Sequence, residues 1–147
     1  MIKTKIYSTY VIPVILYGLE FSTWKEKSLY SLEVFQNHIM CFMTSHTMLD
    51  KIKITTLREM TNLRPLVSCL KQRKLKLFGH TKRSLNGLAK VCIEGKVKGK
   101  RSRGRPKQRW SDDIKSWSDR SIYELNNMVK DRDLWRNYCH EVTHCAT

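Results

Sequence analysis

Pro65–His80, PLVSCLKQRKLKLFGH, is the stretch from which the rest of the chain is read. Proline has no N–H to lose and its fixed φ suits a first helical turn, so Pro65 reads as the start of a helix running to about His80. Leu66, Leu70, Leu77 and Phe78 then share one face, and Lys71, Arg73, Lys74 and Lys76 populate the others. An apolar stripe backed by cations describes a helix that packs on a core and presents a basic surface.

The same period recurs on both sides. From Lys25 to about Thr44, Leu29, Leu32, Phe35, Ile39, Phe42 and Met43 recur at helical steps, which predicts an amphipathic helix packed as plain core. Thr56 and Glu59 fit a capping box, in which each side chain satisfies the other's free N–H, so a short helix Leu57–Asn62 is expected. Residues 1–24 are apolar and aromatic, with a turn at Tyr17-Gly18 and with Pro13 kinking a helix or separating two short pieces. The run Tyr10–Leu19 is far shorter than the ~20 residues of a spanning helix, so no membrane partner is expected. The chain enters apolar periodicity (Ile6, Tyr7, Tyr10, Val11) without a capped beginning, as a piece of a longer protein would. An aromatic surface around Tyr7, Tyr10 and Tyr17 is expected to be left open by the domains of such a parent.

Beyond Leu85 the pattern lapses. Gly87, Gly95, Gly99 and Gly104 punctuate a run of lysines and arginines up to Pro106, within which Ala89–Glu94 reads as a short strand. Helical spacing returns at Trp110, Ile114 and Trp117. Ser121 and Glu124 form a second capping box, ahead of a helix carrying Ile122, Leu125, Val129, Trp135 and Val142. The expected fold class is therefore mainly α. A small helical unit spans residues 1–86, a basic Gly/Arg/Lys linker 87–109 and a C-terminal helical pair 110–147.

Charge narrows the function. The chain carries a net +15, and 15 Lys/Arg against the single acid Glu94 fall between Lys71 and Arg109. The remaining residues hold 13 Lys/Arg and 12 Asp/Glu, so 14 of the 15 net charges sit in one stretch. A surface made basic for solubility would be basic throughout; a concentrated patch is the footprint of a phosphate binder. The densest part is Gly95–Arg109, GKVKGKRSRGRPKQR, with eight Lys/Arg and no acid. At its centre Arg103-Gly104-Arg105-Pro106 has the logic of an AT-hook, whose arginines lie in the narrow, strongly negative minor groove of A·T-rich DNA. The candidate nucleic-acid contacts are Lys71, Arg73, Lys74, Lys76, Arg83, Lys98, Lys100, Arg101, Arg103, Gly104, Arg105, Lys107 and Arg109.

Other residue types weigh against chemistry. Trp110-Ser111-Asp112-Asp113 contains paired carboxylates of the kind that hold two metals in phosphoryl transfer. Its flanks have helical spacing, so both aspartates read as first-turn acids favoured by the helix dipole. Five cysteines, Cys41, Cys69, Cys92, Cys139 and Cys145, show no disulfide framework, so free thiols in a reducing compartment are expected. Cys139, His140, His144 and Cys145 do not follow a usual zinc order, and His80 has no nucleophile or carboxylate beside it in sequence. No catalytic residue, cofactor or metal is expected.

Four blocks occur together in an order that resembles one family. They are Leu16-Tyr17-Gly18 with Pro13, Glu20 and Trp24; Arg73-Lys74-Leu75 with Leu77-Phe78-Gly79-His80 and Arg83; Gly99, Arg101 and Arg103-Gly104-Arg105-Pro106 with Trp110 and Asp112; and Asp131-Arg132-Asp133 with Trp135-Arg136. Together they resemble the C-terminal thumb and tail of the endonuclease/reverse transcriptase encoded by non-LTR (LINE-like) retrotransposons. Phe21-Ser22-Thr23 separates Glu20 from Trp24, where the family usually has a single residue. The resemblance implies a helical thumb and a basic tail that touch RNA template, RNA–DNA hybrid or target DNA in the nucleus. It also implies that the catalytic palm belongs to upstream polymerase domains, so this chain is not expected to be an enzyme by itself. Two other readings stay open on the residues: a stand-alone AT-hook-like DNA-binding module, and a module for an acidic partner.

Overall fold

A computed structural model describes residues 2–84, 87–94, 103, 104, 107–118 and 120–144. The fold is mainly α, with no strand among the described residues. The chain forms two compact units, 1–20 with 24–70 and 21–23 with 71–147.

The first unit begins with α1 (Ile2–Ile6), a π-helical turn Tyr7–Val11 and α2 (Ile12–Ile15). The wide turn lies just before Pro13, and the Ile12 N–H reaches back to the Tyr7 carbonyl, so the proline ends one piece and starts the next. Gly18, at φ 72°, makes the turn that follows. Helix α3 (Glu26–Thr44) and α4 (Ile54–Thr61) complete the unit with the first turns of α5 (Leu66–Arg83). Two apolar clusters hold it: Tyr7, Met40, Met43, Leu57 and Leu63, and Leu16, Leu66 and Leu70.

Three expectations change here. The buried line of α3 is Gln36, Met40 and Met43, while Phe35 and Phe42 are exposed, the latter at 81%. Gln36 goes inside because both ends of its amide are hydrogen-bonded. It donates to the Arg64 carbonyl at 2.8 Å and accepts the Leu66 N–H at 2.7 Å, capping the start of α5 from 30 residues away. Helix α4 begins at Ile54, ahead of Thr56, so no Thr56–Glu59 capping box forms; Asn62 ends it in the left-handed conformation that asparagine tolerates. Tyr7 is buried rather than part of an open aromatic surface, whereas Tyr10 and Tyr17 are exposed.

The second unit contains the rest of α5, α6 (Leu88–Glu94), α7 (Trp110–Trp117), α8 (Ile122–Met128) and α9 (Arg132–His144). Ala89–Glu94, read as a strand, is helical, and the Lys82 ammonium meets the Glu94 carboxylate at 3.0 Å. The single helix expected after Ser121 is two, parted at Val129–Asp131. Ser121 does cap the first of them, accepting the Glu124 N–H at 3.3 Å. Leu75, Phe78, Ile114, Leu125, Val129, Trp135, Tyr138 and Cys139 form one core. Described residues of 110–144 therefore pack on the second half of α5, and the boundary between the two compact units falls inside that helix, at Leu70/Lys71.

Candidate nucleic-acid interface

Helix α5 distributes its cations by phase. Arg73, Lys76, His80 and Arg83 stand three and four residues apart and so share a face; Lys71, Lys74 and Lys82 lie on the other side. The two groups have different fates.

Lys74, expected to contact phosphate, is fully buried. Its ammonium pairs with Asp113, donates to the Ser22 carbonyl at 2.7 Å and lies 4.9 Å and 5.5 Å from the Trp110 and Trp117 ring centres. Burial pulls its pKa below the usual lysine value, against the opposing pull of Asp113. Asp113 also accepts from the Gln108 side chain. A charge held this way is spent on structure and cannot meet a ligand. Lys71 lies 5.6 Å over the Trp117 ring and is half-buried, as is Arg73.

Asp112 acts as a first-turn acid, accepting the Arg109 N–H at 2.8 Å; Asp113 is buried in the same turn. The basic segment between α6 and α7 is thus bracketed by two ion pairs on one helix, Lys82–Glu94 and Lys74–Asp113. The two lysines are eight residues apart on α5, about 12 Å at ~1.5 Å per residue. Arg103, Gly104, Lys107 and Arg109 are exposed, and Gly104 has φ 136°, a conformation that glycine supplies without strain. Lys98, Lys100, Arg101 and Arg105 lie outside the described residues.

The other face of α5 opens on a cleft of about 270 Å³. Lys76, His80 and Arg83 form one wall and Arg132 and Arg136 of α9 the other, with Trp135 and Cys139 at the bottom. Arg132 and Arg136 were not among the candidate contacts. Their Asp-Arg-Asp flanks cancel their charge in a linear count, and only their spacing of four on a helix sets them on one side.

Cys139 is buried with its thiol pushed up to about 11, because burial outweighs the opposing fields of Lys76 and Arg83. It faces the core while neighbouring His140 is exposed, and no group of three or more metal-ligating side chains occurs among the described residues. Cys145 lies outside those residues. Cys41, Cys69, Cys92 and Cys139 are free thiols. Among the described residues no helix is long and apolar enough to cross a membrane.

No protein-family model, curated protein or solved structure matches the chain.

Proposed function

We propose that this chain is the nucleic-acid-binding thumb and tail of a retrotransposon RNA-directed DNA polymerase, acting in the nucleus beside polymerase domains that carry the catalytic palm. The observation that carries the reading is the concentration of 15 Lys/Arg against one acid between Lys71 and Arg109. Glu94, that one acid, is paired with Lys82, so it does not oppose the rest. The four ordered sequence blocks supply the family. The partners are RNA template, RNA–DNA hybrid or target DNA, held mostly through phosphates.

The test is the salt dependence of binding to mixed duplex DNA, A·T-rich duplex, an RNA hairpin and an RNA–DNA hybrid. The expected slope is about −0.9 per phosphate neutralised on duplex DNA, flattening when the basic residues of 96–109 are replaced by glutamine. No binding to any probe near physiological salt overturns the reading. Primer extension by the purified chain is expected to give no product, and incorporation overturns its non-catalytic part.

Gly104 favours a second reading. An exposed glycine at φ 136° beside Arg103 lets the backbone lie close to a groove floor, as an AT-hook requires. Preference for the A·T-rich duplex, lost in Arg103→Ala with Arg105→Ala, supports it; equal affinity for all duplexes excludes it.

A further inference from the structure

The cleft between α5 and α9 has features that folding does not need. Four side chains with fixed positive charge and one imidazole line it, and no carboxylate is among its lining residues. Gathering like charges costs stability, so a compensating anion gives the arrangement its sense. The site is also built in advance. Arg83 donates to the Val129 carbonyl at 3.0 Å, which fixes its guanidinium at the edge of the wall. Arg136 meets Asp133 at 3.4 Å in an exposed pair, weak enough for a phosphate to displace.

The bottom of the cleft decides what is recognised. Trp135 is 3% exposed and donates its indole N–H to the Leu75 carbonyl at 3.2 Å, so it cannot swing out to stack on a base. Cys139 is equally fixed in the core. A ligand therefore meets cations on two walls and a rigid apolar floor. Lys76 to Arg83 spans about 10 Å of helix at ~1.5 Å per residue. At ~3.4 Å of helix axis per nucleotide of one stacked, helical strand, that length matches about three nucleotides.

We propose that this cleft seats the phosphodiester backbone of one nucleic-acid strand over about three nucleotides, without reading its sequence. The proposal rests on the nucleic-acid-binding reading and assigns it a second contact surface, separate from the Gly95–Arg109 segment.

The experiment compares the full chain, an Arg132→Gln/Arg136→Gln variant and a variant with Lys98, Lys100, Arg101, Arg103 and Arg105 changed to glutamine. Each is titrated with a mixed-sequence single strand and an A·T-rich duplex over a range of salt, and with anionic phospholipid vesicles. The arginine variant is expected to keep its melting temperature and to lose affinity by the same factor on every sequence. Its salt slope should flatten by about 1.4–1.8, two contacts at ~0.7–0.9 each. If the full chain binds and the arginine variant keeps the full slope, the cleft is not the seat, while the nucleic-acid reading stands. Should that variant melt lower, Lys76→Gln on the opposite wall has to flatten the slope by about 0.7–0.9, and an unchanged slope overturns the proposal. Absence of nucleic-acid binding by the full chain overturns both readings, whereas a loss confined to vesicles overturns the cleft proposal alone.

Discussion

Lys74 and Lys76 are two residues apart on one helix, and two residues turn a helix through more than half a circle. Lys76 is exposed at the cleft, whereas Lys74 is enclosed by Asp113, Ser22 and two tryptophans. Removing one partner of such a pair strands the other charge away from water. Lys74→Met or Asp113→Leu should therefore each cost about 3–5 kcal/mol, and the double variant much less than their sum. Urea unfolding of the three variants measures this. The double variant is also expected to keep the salt slope of nucleic-acid binding, because Lys74 contacts no phosphate; a flatter slope would restore it to the contact list. Sequence reading could not separate the two lysines. Its apolar phase was drawn through Leu66, Leu70, Leu77 and Phe78, and the Asp113 that fixes Lys74 lies 39 residues away.

At the scale of the element, α5 comes up against the Trp135 side chain of α9 at Gly79. A Cβ there would overlap the Trp135 indole, whose N–H is already committed to Leu75. Phe78 and Tyr138 both pack against the ring, at centroid distances of 5.7 Å and 5.6 Å. Alanine normally improves a helix by about 1 kcal/mol over glycine. Here the overlap should reverse the sign, and Gly79→Ala is expected to destabilise by about 1–3 kcal/mol net, measured by chemical denaturation. The glycine of the Phe-Gly-His block was legible as a motif, but its reason was not, because Trp135 is 56 residues further on. The helices themselves were largely legible: α3, α5 and α7 lie within a few residues of their expected bounds. Local signals misled where two devices competed, as at α4, where the chain starts the helix at Ile54 and leaves the Thr56–Glu59 pair inside it.

For the whole molecule, the net charge of +15 is the governing fact. Self-repulsion opposes folding and is screened by salt, over about 10 Å at 0.1 M. The melting temperature is expected to rise from low to moderate ionic strength, and to rise further at low salt when a short duplex is added. A duplex at one hundred times its dissociation constant contributes about 2.7 kcal/mol. Differential scanning fluorimetry across a salt series checks both, and a melting temperature that falls with salt would contradict the first.

The sequence alone determined the helical class, the position of most helices and the basic character of residues 71–109, because periodicity, chain turns and charge are local quantities. Only the tertiary structure decided which cations are spent on the core, why Gln36 is buried, and that Arg132 and Arg136 stand opposite Lys76 and Arg83. Those outcomes depend on which surfaces of distant helices meet, and a side chain's neighbours across 28 to 60 residues are fixed by packing rather than by spacing along the chain.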